Sequence, residues 1–328
     1  MVSVIIPAYN VEEYISASIE SILDQQFEDW ELIIINDGST DSTPEVASSY
    51  ADRDPRIKIF SKANEGPGAA RRDGLRHACG EYVMFLDADD LCSSLYISYL
   101  LHLMGKEVDM AIGQLLKFKG KEQLSKKIIK EITKFDKEAE ILSGVKAAEM
   151  CMYQRGVDNS CCGKLMRRSL FEGLDFNVGE LYEDLDIMYR VMMRSRKVAI
   201  TPAPLYYYRV SRAGSIMNTF NPARLCVLDV TRRMQEFTRQ RHPEIEKAAI
   251  ERRLSANFNM LGLLLAKRRR EELTDFEMGK LNECSSYIKE HRHISLLNSK
   301  VRLKSRIGAL LSYLPYFIFH PLLRMVYR

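Results

Sequence analysis

Residues 85–90 read Phe-Leu-Asp-Ala-Asp-Asp, an apolar run that ends in three carboxylates, Asp87, Asp89 and Asp90. Like charges this close repel and raise one another's pKa unless something positive sits among them. In an extended segment residues i and i+2 face the same side. Asp87 and Asp89 are therefore expected to point together into a pocket, with Asp90 turned away to cap the following helix. Oxygen ligands of this kind suit Mn²⁺ or Mg²⁺, and Mg²⁺ takes only one or two from protein, leaving the rest to water and phosphate groups. The chemistry on offer is the holding of a cation that in turn holds a phosphate.

Such a pair needs elements to aim it. "VSVIIPAY" is a short buried-strand run ended by Pro7, and "VEEYISASIESILDQQF" carries apolar residues at Val11, Ile15, Ile19, Ile22 and Leu23, a helical spacing. "ELIIIND" repeats the strand signal. "STPEVASSYA" opens with Ser42 and Glu45 as a capping box and Pro44 in the first turn. "IKIF" and "YVMFL" are further strands, separated by a helix starting near Pro67. This β-α alternation predicts an α/β fold: a mostly parallel, Rossmann-like sheet with helices on both faces and a ligand beyond the carboxyl ends of the strands. The polar residues after each strand then converge: Tyr9 and Asn10, Asp37-Gly38-Ser39, Asn64, and Asp87-Ala88-Asp89. "GPGAARRDG" does not make a dinucleotide fingerprint, which belongs in the first strand-to-helix turn; that turn, "PAYNVEE", has no glycine.

"VSVIIPAYN", "ELIIINDGSTDST", "NEGPGAARRDGL" and "GEYVMFLDADD", in this order and spacing, resemble the nucleotide-sugar-binding half of glycosyltransferase family 2, which has the GT-A fold. "CGKLMRRSLF", "YEDLDIMYRV" and "YYYRVSRAGSIM" resemble the acceptor-side segments of its bacterial, non-processive members, so that the likeness covers roughly residues 1–217. The resemblance implies that Asp37 hydrogen-bonds the nucleotide base and that Pro7 and Tyr9 line the same pocket. It implies that Asn64, Asp87 and Ala88 lie along the nucleotide sugar, with Asp87 near ribose and metal, that Asp89 ligates the cation, and that Arg71 supports the nucleotide. Arg72 departs from the asparagine usual after the Ala-Arg pair.

Glu183, Asp184 and Asp186 cluster where a helix begins. Acids there are also favoured simply by the helix dipole. Inverting transfer needs a base on the acceptor hydroxyl, and the resemblance selects Asp184, with Glu183 orienting or tuning it. Arg209, Arg212 and Ser215 are expected over the departing diphosphate, where cations and donors stabilise the developing charge. Lys164 is expected either at the acceptor or phosphates or on the surface. Cys161 and Cys162 read as small buried apolar residues.

Bulk properties narrow the class. The 328 residues suit more than one packed unit: 1–105 as the nucleotide-sugar half, 106–217 as the acceptor and base half, and 218–328 as a helical C-terminal region. From Gly105 to Thr133 the pattern weakens into a lysine-rich solvated helix or loop. The N-terminus has no secretory signal pattern, and seven cysteines without paired spacing argue against a disulfide framework, so a cytoplasmic location is expected. Residues 221–328 hold 21 Lys/Arg against 11 Asp/Glu, whereas residues 1–220 hold 27 against 33. A basic rear suits a phospholipid leaflet, and no zinc-finger, RNP or homeodomain pattern points to nucleic acid. The tail 298–328 has the composition of a segment lying in the membrane interface, which places the chain at the inner face of the cell membrane; packing on protein is the rival.

Together these features lead to an inverting, metal-dependent transferase. Its donor would be a nucleoside diphosphate sugar, UDP-linked, and its acceptor a hydroxyl on a surface glycan or glycolipid. A haloacid-dehalogenase-type phosphatase and a non-catalytic, membrane-attached nucleotide-binding module are the alternatives.

Overall fold

Trp30–Asn36 are buried at every position, and a strand buried on both faces belongs inside a parallel sheet. This strand, β2, lies parallel to β1 (Val2–Ala8) on one side and to β3 (Ile57–Ser61) on the other. β1 pairs in parallel with β4 (Tyr82–Phe85). The connecting helices are α1 (Ile15–Leu23), α2 (Thr43–Ala51) and α3 (Pro67–His77), where the apolar spacing, the Ser42–Pro44 start signal and Pro67 respectively place them. The structure, a computed structural model, describes residues 1–119, 139–210 and 221–314, together with Phe319 and Leu322.

Beyond β4 come β5 (Leu91–Cys92), α4 (Tyr96–Leu103), β6 (Val108–Phe118), β7 (Glu140–Ser143), α5 (Gly144–Met152), β8 (Lys164–Arg167), α6 (Glu183–Arg194) and β9 (Lys197–Arg209). The sheet order is β3-β2-β1-β4-β8-β6-β9-β5, with β7 also pairing to β9. β1, β2, β3, β4, β6 and β9 run one way; β5, β7 and β8 run against them. The α/β class, the mostly parallel sheet and the C-terminal helical region are as the sequence predicts.

Two local expectations are corrected. Val108–Phe118 is a strand inside the sheet, not a solvated helix or loop: its first six residues are buried and bonded to β8 and β9, and only then does lysine appear. Most of the lysine-rich stretch lies outside the described residues. The capping box at α2 is also absent, because the Ser42 side chain makes no cap hydrogen bond. Instead Asp41 accepts from the Thr43 amide at 3.0 Å and from the Glu12 amide at 3.1 Å, tying the start of α2 to the approach to α1.

The chain forms two compact units, Met1–Ala147 with Ser160–Ala213, and Ala148–Asn159 with Gly214–Arg328. The first holds the sheet. In the second, α7 (Cys226–Arg241), α8 (Glu246–Arg268), α9 (Asp275–Leu297) and α10 (Leu303–Leu311) pack on one another. Thr274 and Glu277 form a reciprocal capping box at the start of α9. Lys300 pairs with Glu149 and Asn298 donates to the Tyr153 hydroxyl, each at 2.7 Å, so the first part of the tail is tied to the segment that joins this unit from upstream. Among the described residues no helix is long and apolar enough to cross a membrane.

Candidate active site

The strand order reverses at β1: β2 and β3 lie to one side, while β4 returns to the other. Open α/β sheets bind ligands in the crevice that opens at such a switch point, beyond the carboxyl ends. Ala8, Asn36 and Ser61 share one row there, and Ile5 is level with Phe85, so the chain leaving β4 delivers Asp87 to the rim beside the residues that follow β1.

The turn Asp87–Asp90 is held from several sides. The Asp90 amide donates to the Asp87 carbonyl at 3.0 Å. The Ser18 hydroxyl sits 2.8 Å from the Ala88 carbonyl and 2.6 Å from that of Asp90. From β9, Tyr206 donates its hydroxyl to Asp90 at 2.7 Å and accepts the Asp87 amide at 3.1 Å. Arg209 donates Nε to the Asp89 carbonyl and its amide to Asp90, each at 2.7 Å. Asp90 is thus no helix cap: it is a buried carboxyl clasped by β9. Burial first, then the charges of Asp87 and Asp89, push its pKa up to about 8 against the opposing bonds from Arg209 and Tyr206. The Asp89 side chain stays half-buried, as does that of Asp87.

Arg71 joins this turn to the second acidic cluster. On α3 it is buried, with Nη2 donating to Asp87 at 2.7 Å and Nη1 to Glu183, the first residue of α6. Gly68, one turn earlier on the same helix face, makes the approach possible: a Cβ there would stand 2.6 Å from the Asn177 carbonyl and 3.2 Å from the Glu183 Cβ. The chain enters α6 through Tyr182, whose φ of 65° is left-handed. Asp184 follows Glu183 and is half-buried, with the Leu185 amide 2.6 Å from its Oδ1. Burial and then the Glu183 charge raise its pKa to about 6, opposed by Arg71 and the Leu185 amide. A carboxyl titrating there is suited to general-base work near neutrality. Asp186 serves structure instead, accepting from Arg190 and, at 2.9 Å, from Asn177.

The remaining sites divide. Pro7 is in β1, and Tyr9 stands exposed just past its end. Asp37 is buried, and its two oxygens accept the amides of Glu65 and Gly66 at 3.0 and 2.8 Å, fastening the loop that opens α3. Asn64 is exposed in that loop. Its backbone passes 2.8 Å from where a Gly38 Cβ would be, and Gly38 has φ 73°, so glycine is required there on two counts. Lys164 is not a surface lysine: it is fully buried, with Nζ donating to the Ser160 carbonyl at 2.7 Å and the Cys162 carbonyl at 3.3 Å. Cys161 and Cys162 are buried free thiols, as expected. Arg72 turns to Asp73 at 3.1 Å, so its departure from the family pattern leaves the Arg71 contacts intact. Arg212 and Ser215 lie outside the described residues. Tyr206 and Ser18 escape sequence reasoning, since in the sequence they look like ordinary strand and helix residues.

Among the described residues no three His, Cys, Asp or Glu side chains gather as a ready metal cage. The oxygen-only pair Asp87 and Asp89 nevertheless fits a hard cation that draws its other ligands from water and phosphate. Asp87 also pairs with Arg71.

Residues 3–174, a little over half of the chain, match the family model described as Glycosyl transferase family 2. The chain belongs to glycosyltransferase family 2. Among family relatives, Glycosyltransferase GlyA of Streptococcus pneumoniae serotype 4 is 32% identical over 220 residues, 66% of this chain and 31% of its own. Glycosyltransferase GlyG of the same organism is 29% identical over 229 residues, 67% of this chain and 73% of its own. The chain therefore spans less than a third of GlyA. The crystal structure of S. aureus TarS 1-349 in complex with UDP-GlcNAc aligns with a TM-score of 0.68 at 19% identity, covering 99% of this chain and 90% of that one. That likeness carries the GT-A fold. The matched residues are those of a family 2 glycosyltransferase domain.

Proposed function

We propose that the protein transfers a sugar, with inversion, from a UDP-linked donor to a hydroxyl of a cell-surface glycan or glycolipid acceptor, with a divalent metal. The observation that carries this reading is the place of Asp184, a half-buried carboxyl beside Glu183 on a helix that Glu183 and Arg71 tie to Asp87 of the acid turn; burial and the Glu183 charge push its pKa up to about 6. The acceptor oxygen bonds to the anomeric carbon while the carbon–oxygen bond to the diphosphate breaks. The hydroxyl proton passes to Asp184, and the electron pair leaves with the diphosphate. Attack opposite the leaving group inverts the centre. Asp89, with Asp87, would hold Mn²⁺ or Mg²⁺, which supplies positive charge against the diphosphate. Arg209, at the end of β9, donates to the same turn and adds positive charge there. Asp37 and Tyr9 lie at the ends of β2 and β1, where the base of a nucleotide at the switch point belongs.

The TarS complex with UDP-GlcNAc supports a nucleotide-sugar donor through the shared fold. A phosphatase that attacks through an aspartate is disfavoured, since Asp87 is engaged by Arg71 and the acid turn follows the fourth strand. We assign the basic, apolar face of α10 to contact with an anionic leaflet, which places the enzyme at the inner face of the membrane. Its supports are exposed Leu303, Ile307 and Leu310 beside exposed Lys304 and Arg306, with exposed Leu314 just past the helix end.

The test is a thermal-shift panel of UDP, UDP-sugars and GDP-mannose with Mn²⁺, followed by release of nucleoside diphosphate from the donors that bind. UDP-sugars raise the melting temperature, and chelation of the metal abolishes release until Mn²⁺ is restored. Asp184→Asn keeps donor binding and lowers turnover by roughly 10²-fold to 10⁴-fold. Hydrolysis of an aryl phosphate without UDP binding, or an Asp184→Asn protein as active as the parent, refutes the reading.

A further inference from the structure

Arg71 is 7% exposed and spends two nitrogens on two acids that are distant in sequence, Asp87 after β4 and Glu183 at the start of α6. Its Nε is buried with no hydrogen-bond partner. The side chain is therefore packed into an internal contact, with its two η nitrogens committed to protein carboxylates. Gly68 clears the space in which α3 and α6 meet beside it.

We propose that Arg71 is a positioning residue of the transfer step, a clamp between the acid turn and the base helix, and not a ligand of the nucleotide. This rests on the reading of the site as a nucleoside diphosphate sugar site. The planar fork of a guanidinium reaches two carboxylates at once and is always charged; a lysine ammonium is a single point on a shorter reach. Releasing the clamp lets the first turn of α6, and Asp184 with it, shift against the donor side, and a misplacement of about 1 Å costs on the order of 10²-fold in rate. It also removes the positive charge that opposes the upward shift of the Asp184 carboxyl.

The experiment measures UDP binding with Mn²⁺ by calorimetry and donor hydrolysis across pH. It compares the parent, Arg71→Lys, Arg71→Met, Glu183→Gln and the Arg71→Met/Glu183→Gln double variant. In Arg71→Lys, UDP affinity stays within about threefold while kcat falls on the order of 10²-fold. In Arg71→Met the acid limb of the kcat profile moves to higher pH. The double variant is no slower than the slower single, because both changes break one contact. It also keeps the test open if Arg71→Lys does not fold, since it leaves no unpaired charge facing Glu183. The proposal is overturned if UDP affinity drops about tenfold or more with kcat kept, which makes Arg71 a nucleotide ligand, or if the two single losses multiply in the double variant. A parent protein that binds no UDP instead overturns the site reading underneath.

Discussion

Asp184 shows how little a residue's name says about its charge. Its first-turn position was legible in "YEDLD", but the same sequence holds Glu183 and Asp186, and only surroundings separate the three. Glu183 is paired with Arg71, 112 residues away, and Asp186 with Arg190 and Asn177, while at Asp184 burial and the Glu183 charge outweigh the Leu185 amide and the Arg71 charge. A base must be deprotonated to act. Turnover is therefore expected to be flat above pH 7 and to fall by about tenfold per unit below about 6, as the carboxyl takes up its proton. A pH–rate profile of donor hydrolysis checks this; a limb at pH 4, the ordinary carboxylate range, would mean that another group is titrating. The acid turn teaches the same lesson. Three aspartates were visible, yet that Asp90 is the buried one became apparent only from Tyr206 and Arg209, which come from β9.

Helix α3 is the element on which the site is mounted, and two of its glycines can be tested. A Cβ at Gly74 would lie 2.3 Å from Cγ2 of Ile5, a fully buried residue of β1. Alanine ordinarily gains up to about 1 kcal/mol over glycine inside a helix, but forcing a methyl into a packed contact costs about 1–3 kcal/mol. The clash wins, so Gly74→Ala lowers the unfolding midpoint in denaturant. Gly68→Ala meets a backbone carbonyl and Glu183, so it displaces α6 and lowers kcat more than it lowers stability. An unchanged kcat in that variant would show that the approach of α3 to α6 is not needed for catalysis. The early strands and helices were legible because each carries its own pattern, an unbroken apolar run or an i, i+4 stripe. β6 was not, since exposed Gln114, Leu116 and Lys117 break its apolar run and its partners, β8 and β9, follow it in the chain.

At the scale of the molecule the charge is divided, with the excess of Lys/Arg behind residue 220 and the excess of acids before it. α10 turns Ser305, Gly308 and Ala309 inward and leaves Leu303 70% and Leu310 62% exposed. Apolar burial and attraction to anionic lipid act together on such a face, each basic residue near the surface adding about 1 kcal/mol. The protein is expected to float with anionic vesicles at low salt and less at high salt. Leu303→Glu/Leu310→Glu should abolish flotation without altering donor hydrolysis, whereas equal flotation of the double variant would remove α10 from the membrane contact. The tail's composition suggested this surface, but only the helix register separates the outward leucines from the inward small residues.

The sequence by itself determined the family, the alternating α/β order and the list of acids that could serve, because each is written in a local pattern of polarity and spacing. The tertiary structure decided which acid is paired, which is buried and which is poised to take a proton. Those states are set by electrostatic and solvation effects over a few ångströms, and the groups that produce them here, Arg71, Tyr206 and Arg209, reach the acids from other elements of the fold.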